Sequence, residues 1–212
     1  MVICIIVGTR GEVIGMAPLI KEIKRRNYSL ILVHTGQHYD PRLRHELVKD
    51  LELPDPDYSL RCKIGVHGEQ TASILEKVSK ILHRERPDMV LVQGNNNSTV
   101  ASAISCIGIG IPLGHVESGV RHGYRLGDTN RRIVERCADY RFAPFKEAVR
   151  NLRFEGIRDG VHLVGDTYLD AFRQYSTKIS NSTIVEKLDL KERDYAAVSI
   201  HTGLNRRNQI LE

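Results

Sequence analysis

The sequence predicts an α/β fold, a three-layer doubly wound parallel sheet, and three observations predict it. Short apolar runs rich in Val and Ile recur along the chain, as expected for strands buried on both faces. Most of these runs end in Gly or a short polar loop and are followed by an amphipathic stretch at helical spacing. With 212 residues and 41% hydrophobic content there is enough apolar material for an ordinary core. Strands alternating with helices and joined by right-handed crossovers give a parallel sheet with helices on both sides.

Val2 to Val7 is the first strand, and Gly8 permits the turn that follows it. Val13 to Arg26 then places Ile14, Leu19, Ile20 and Ile23 on one side, with Lys and Arg in the last turn; Gly15 and Pro18 are faults within this helix. Ser29 to His34 is the second strand, Pro41 to Leu51 a helix, and Tyr58 to Arg61 a short strand reached through the stiff Leu53-Pro-Asp-Pro-Asp57. His67 to Arg86 is the longest helix, with Thr71, Ile74, Leu75, Val78 and Ile81 inside. Asp88 to Gln93 is a strand closed by Gly94, and the helix over Thr99 to Ile109 is rich in small residues that let it lie close to the sheet. Strands over Ile111 to Val116, Tyr140 to Ala143 and Val161 to Val164 alternate with helices over Asp128 to Ala138 and Lys146 to Glu155. Asp166 to Tyr175 reads as a helix leaving the sheet, Thr177 to Lys187 as a polar connector with a short helix, and Tyr195 to Ile200 as one more strand. The expected organisation is a sheet domain over residues 1–166, a linker helix and connector over 167–194, and an incomplete start of a second domain over 195–212.

The net charge is +5, carried by residues such as Lys21, Lys24, Arg25, Arg26, Arg131 and Arg132, which do not interleave with aromatics. They read as solvated helix faces, which argues against a nucleic-acid surface and suits a small anionic ligand. Cys4, Cys62, Cys106 and Cys137 are widely spaced, with no Cys-x-x-Cys, and read as buried thiols in a reducing compartment, so a cytoplasmic location is expected. No basic leader precedes the first apolar run, which is far too short to span a membrane, so no membrane partner is expected. No His, Cys and Asp set has zinc spacing, and no metal is expected.

Thr9 and Arg10 stand where the first strand's carboxyl end meets the next helix. There, free backbone N–H groups, the helix dipole and a guanidinium favour an anion, although any first strand, turn and helix would look similar. Further motifs follow at His34-Thr-Gly-Gln-His-Tyr-Asp40, His67-Gly-Glu-Gln-Thr71, Val92-Gln-Gly94 and Gly114-His-Val-Glu-Ser-Gly-Val-Arg121. In this order and at these intervals the chain resembles the non-hydrolysing UDP-N-acetylglucosamine 2-epimerases. The resemblance implies two Rossmann-like domains in a glycosyltransferase-B-type arrangement, of which this chain has the first half and the start of the second. It also implies a UDP-sugar ligand, no cofactor, and assembly as a homodimer.

By resemblance, the reaction eliminates UDP to a glycal-like intermediate and adds it back on the other face, interconverting UDP-N-acetylglucosamine and UDP-N-acetylmannosamine. It needs carboxylates at the sugar and cations at the diphosphate. Glu117 and Asp128 are the acid–base candidates, Arg10 and Arg131 the cations, and His201 a helper. Each has a plainer reading: Glu117 as a carboxylate capping a turn, Asp128 as a helix cap, His201 as a strand-end imidazole. Asn95 stands where the family motif has Asp, and an amide cannot take a proton at neutral pH. Asp128 stands for a Glu, one methylene longer. Gly11 and Gly15 replace a Pro and a phosphate-facing Lys, and Ser118 falls where many members carry Ala. Gln37, His38 and Gln70 resemble an activator site for a second UDP-N-acetylglucosamine, or make ordinary loop hydrogen bonds. His115 is expected to satisfy a local hydrogen bond rather than to bind metal.

The changes cluster where a ligand would sit, while scaffold stretches such as Met16 to Ile23 and Leu163 to Asp170 keep the family pattern. This predicts weak or absent activity in the chain alone. Two other readings stand beside it: a non-catalytic scaffold module that kept the fold, and the first half of a two-domain glycosyltransferase. The Gly-Thr-Arg and His-Val-Glu-Ser-Gly motifs speak against the last.

Overall fold

A computed structural model describes residues 1–37, 41–62, 66–123, 125–191 and 194–198. His38 and His201 lie outside the described residues. Two compact units are present, residues 1–174 and 175–212.

The first unit runs β1 (Val2–Val7), α1 (Arg10–Arg25), β2 (Ser29–His34), α2 (Pro41–Asp50), β3 (Tyr58–Ser59), α3 (His67–Glu85), β4 (Met89–Gln93), α4 (Asn97–Ile109), β5 (Leu113–Val116), α5 (Arg125–Cys137), β6 (Tyr140–Ala143), α6 (Lys146–Phe154), β7 (Val161–Leu163) and α7 (Thr167–Gln174). The strands form one sheet in the order β3-β2-β1-β4-β5-β6-β7, and every described pairing is parallel. Val2 to Val7 of β1 face Ser29 to His34 of β2 on one side, and Ile3 to Ile5 face Met89 to Leu91 of β4 on the other. Strand order therefore reverses between β1 and β4, where the loops leaving the two strands diverge and open a crevice at their carboxyl ends.

The period-two alternation of the strands sends Cys4 and Ile6 of β1, and Val90 and Val92 of β4, into a core completed by Val78 and Leu82 of α3, Ala101 of α4 and Val134 of α5. Burial of four free cysteine thiols accompanies this packing: Cys4, Cys62 and Cys106 are buried and Cys137 half-buried. α1 buries Val13, Met16, Ala17, Ile20 and Ile23, and α7 packs beside it. α4 packs most extensively on α3, as its buried Ala101, Ala103 and Ser105 allow.

α1 begins at Arg10, ahead of the Val13 expected from periodicity, because Thr9 and Glu12 close a capping box around its first turn. Pro18 lies inside α1, which nonetheless runs unbroken to Arg25. α4 likewise starts at Asn97, capped by Asn96. Thr167–Gln174, expected as a linker helix, falls within the first unit, where Thr167 and Ala171 are buried. The second unit holds α8 (Ser176–Ser180) and α9 (Ile184–Lys187). The strand expected over Tyr195 to Ile200 is not formed at residues 195–198, and residues 199 and 200 lie outside the described residues. Among the described residues no helix is long and apolar enough to cross a membrane.

Candidate active site

At the end of β1 the chain is fixed by Glu12. Its Oε2 accepts from the Gly8 and Thr9 N–H groups at 2.7 and 2.9 Å, while Thr9 Oγ1 accepts from the Glu12 N–H at 3.3 Å. Thr99 Oγ1 of α4 lies 3.2 Å from Glu12 Oε1 and 2.8 Å from the Gln93 carbonyl oxygen, so this one carboxylate links the loops on both sides of the crevice. Burial pushes the Glu12 carboxyl above its ordinary range, against hydrogen bonds that hold it down. Thr9 is half-buried and engaged in the cap, whereas Arg10 is exposed on the first turn of α1.

Beyond β4 the backbone turns at Gly94, with φ of +78°. Asn95 is half-buried and its carbonyl accepts from Asn130 Nδ2 at 3.0 Å, which ties this loop to α5. Asn96 Oδ1 accepts from the Thr99 N–H at 3.2 Å. Gln37 and Gln70 come together here: Gln70 Nε2 donates to the Gln37 carbonyl at 3.1 Å, and Asn97 Nδ2 donates to Gln70 Oε1 at 2.7 Å. Gln37 Oε1 accepts from the Ser98 N–H at 2.9 Å, satisfying one of the open donors at the start of α4.

β5 delivers Glu117 at the same end of the sheet. Its backbone is left-handed, φ +64°, a conformation uncommon for a residue with a side chain and found at functional turns. Glu117 Oε2 lies 3.6 Å from Arg131 Nη2 of α5, and 3.6 Å from the point where a Cβ on Gly94 would stand. Burial pushes the Glu117 carboxyl up, and the Arg131 guanidinium holds it partly down. Arg131 is itself buried, with its Nε unpartnered among the described residues. The next turn is closed by Gly119, φ +84°, where a Cβ would stand 2.1 Å from the Ala148 carbonyl oxygen.

Asp128 is buried in the first turn of α5, and its two oxygens accept from the His122 and Gly123 N–H groups at 3.1 and 3.0 Å. Its carboxylate thus holds the loop that precedes α5. His115 is fully buried; its Nε2 must carry the proton, because it donates to the Gly94 carbonyl at 2.8 Å. Its Nδ1 then accepts from Ser118 Oγ at 2.7 Å. Burial, followed by the charges of Arg131, Arg121 and Arg141, pushes this imidazole down to about 3, so it is neutral and steadies the Gly94 turn.

The structure therefore brings Thr9, Arg10, Asn95, Glu117, Asp128 and Arg131 to the carboxyl-end side of the sheet, with Glu117 and Arg131 in direct contact. Three further residues join them. Glu12 was legible as the fourth member of Thr9-x-x-Glu12 before a helical run. Gln93 and Tyr168 had no local signal: Tyr168 arrives on α7, with its hydroxyl 3.2 Å from where a Cβ on Gly11 would stand. Burial, with the charges of Glu117 and Glu12, pushes the Tyr168 phenol upward, so it is a protonated donor. A half-buried carboxyl biased toward its neutral form, facing a buried guanidinium, is suited to giving and taking a proton beside an anionic ligand.

The sequence model for the UDP-N-acetylglucosamine 2-epimerases matches residues 21–212. A UDP-N-acetylglucosamine 2-epimerase of Methanococcus maripaludis is 37% identical over 216 residues, covering 96% of this chain and 57% of that protein. A UDP-2,3-diacetamido-2,3-dideoxy-D-glucuronate 2-epimerase of Pseudomonas aeruginosa is 35% identical over 159 residues, covering 74% of this chain and 45% of that one. The crystal structure of the Methanocaldococcus jannaschii UDP-GlcNAc 2-epimerase in complex with UDP-GlcNAc and UDP matches with a TM-score of 0.84 at 35% identity, over 89% of this chain and 53% of that chain. This chain spans about half the length of the relatives it matches. On a fold and a sequence that agree, the chain belongs to the UDP-N-acetylglucosamine 2-epimerase family.

Proposed function

We propose that this chain carries the sugar-side half of a 2-epimerase site for UDP-N-acetylglucosamine, and that it turns the substrate over slowly. The observation that carries the proposal is the contact between half-buried Glu117 and buried Arg131 one strand beyond the strand-order reversal, 3.6 Å apart and beside the Gly94 turn. Glu117 takes the C2 proton as the C1–O bond to UDP breaks, leaving a C1–C2 double bond; UDP then re-adds at C1 while a second proton group supplies a proton to C2 from the opposite face. Arg131 meets the negative charge of the ligand from within the fold, and Arg10, exposed at the start of α1, meets the diphosphate. Asn95 holds the ligand by hydrogen bonds only, since an amide takes no proton near neutral pH. Asp128 serves as a second proton group only after releasing the two N–H bonds it now accepts. These two features are why turnover is slow.

The test is proton exchange. Incubated with UDP-N-acetylglucosamine in deuterated water, the wild-type chain incorporates deuterium at C2 slowly, and Asn95→Asp accelerates it by about 10²-fold, the usual contribution of one positioned acid or base. Glu117→Gln abolishes incorporation. Deuterium that enters at an undiminished rate in Glu117→Gln, or never enters in either wild type or Asn95→Asp, contradicts the proposal.

A further inference from the structure

Thr99 is fully buried in the first turn of α4, and its hydroxyl, with one hydrogen to give, stands among three acceptors. The Gln93 carbonyl oxygen lies 2.8 Å from Oγ1, and Glu12 Oε1 and Asn96 Oδ1 each lie 3.2 Å from it. Asn96 cannot offer its amide N–H groups there instead, because its Oδ1 is fixed as the acceptor of the Thr99 N–H. The hydroxyl hydrogen belongs to the nearest acceptor, the Gln93 carbonyl. What the Thr99 oxygen then turns toward Glu12 is a lone pair, and an ionised carboxylate would set a second bare oxygen against it.

The two oxygens of Glu12 have opposite surroundings. Oε2 accepts from the Gly8 and Thr9 N–H groups at 2.7 and 2.9 Å and from the Thr9 hydroxyl at 3.2 Å, as the carbonyl oxygen of an acid can. Oε1 meets only the Thr99 hydroxyl among the described residues. The side chain is buried, and no Lys, Arg or His among the described residues pairs with it. The titratable groups facing it are Glu117 from the turn after β5, which adds negative charge when ionised, and Tyr168 from α7, a protonated phenol; α4 brings the neutral Asn96 and Thr99. A charge on Glu12 would therefore stand uncompensated.

We propose that Glu12 is held as the neutral acid, with its hydrogen on Oε1 and donated to Thr99 Oγ1, and that this one proton joins the two loops of the crevice. Glu12 is thereby the positioning residue for Thr9 and Arg10 on one side and for Asn95 and Asn96 on the other. The consequence for a ligand rests on the proposed function, whereas the place of the proton does not. Loss of the proton sets an anion against the Thr99 oxygen, breaks the tie and lets the loops part.

The experiment follows the Glu12 carboxyl by 13C NMR in the full chain, with Glu12→Gln identifying the resonance. Wild type at neutral pH is expected to show the shift of a carboxylic acid, and the shift of a carboxylate overturns the proposal. Thr99→Val keeps the shape and removes the hydroxyl. A hydroxyl that accepts from the acid lowers the Glu12 titration midpoint when it is lost, whereas one that donates to a carboxylate raises it. A fall of about one pH unit is expected; a rise or an unmoved midpoint overturns the proposal. Thr99→Ser retains the hydroxyl and is expected to restore the wild-type midpoint. Should Thr99→Val fail to fold, the wild-type spectrum decides alone. Calorimetric UDP binding across the same pH range is expected to weaken about tenfold as Glu12 loses its proton, the scale of one lost hydrogen bond. Glu12→Gln, whose amide keeps a donor toward Thr99, is expected to remove that pH dependence. Binding that persists unchanged through the titration overturns the positioning role. Wild type that binds no UDP at any pH refutes the proposed function, while the carboxyl titration still decides where the proton is.

Discussion

His115 shows how a single residue sets the condition of the site around it. Held neutral by burial and by three neighbouring arginines, it cannot compete with Glu117 for a proton, and both its nitrogens are used to hold Gly94 and Ser118. Its folded pKa, about 3, lies below the ordinary 6.5. The unfolded chain therefore binds a proton below 6.5 that the native chain refuses until about 3, and stability falls as pH drops through that window. This single group contributes a slope of about 1.4 kcal/mol per pH unit. The raised carboxyls of Glu12 and Glu117 act in the opposite sense from 4.5 upward, because the native state keeps protons there that the unfolded chain has lost. The contribution of His115 is thus the difference between two proteins: urea unfolding of wild type and His115→Gln between pH 6.5 and 5 should differ in slope by about one proton. Equal slopes would mean that His115 is not held neutral.

At the scale of elements, the turn after β5 is what places Glu117, and buried charge holds that turn. Glu135 of α5 accepts from the Gly119 N–H at 2.5 Å and pairs with Arg121 at 2.6 Å, while Arg121 also reaches Glu155 at 2.7 Å. Glu135 is fully buried, so removing its charge leaves Arg121 paired with Glu155 alone and also loosens Gly119. Glu135→Gln should cost about 3–5 kcal/mol in urea denaturation, the cost of breaking a buried pair by one partner. A loss below about 1 kcal/mol, the level of an exposed ion pair, would show the turn is held by other means. These elements also show what the sequence could convey. β1, β2 and β6 were legible to the residue because their ends coincide with Gly8, Asn27-Tyr28 and Pro144, local breaks in an apolar run. The early start of α1 is also local, written in Thr9-x-x-Glu12. Gly15, by contrast, reads along the chain as a fault in a helix. Its partner Gln93, whose side chain fills the room that Gly15 leaves, lies five elements farther along the chain, and only the parallel pairing of β1 with β4 brings them together. Tyr168 was hidden for the same reason, since the packing of α7 on α1 depends on the whole sheet being formed. Glu117 could be named from its motif, but its left-handed backbone and its contact with Arg131 are properties of the assembled turn.

For the molecule as a whole, the sheet reverses strand order between β1 and β4, and the loops carrying Thr9, Arg10 and Asn95 diverge from that line, with Glu117 one strand farther on. A separate cavity of about 290 Å³ lies along Leu19, Leu91, Val116, Phe142 and Thr167; its lining is mostly apolar and does not include Arg10, Glu117 or Arg131. The charged crevice and the apolar cavity are lined by different residues. The net charge of +5 suits an anionic ligand in the crevice but does not select one. The central claim is that this chain by itself holds a nucleotide-sugar site, and calorimetric titration with UDP-N-acetylglucosamine and with UDP tests it most directly. The account predicts binding in the micromolar range, about −8 kcal/mol, with Glu117→Gln weakening UDP-N-acetylglucosamine more than UDP. No heat from either ligand at millimolar concentration, from a chain whose mass shows a defined oligomer, would contradict it and favour a scaffold that kept the fold without the site.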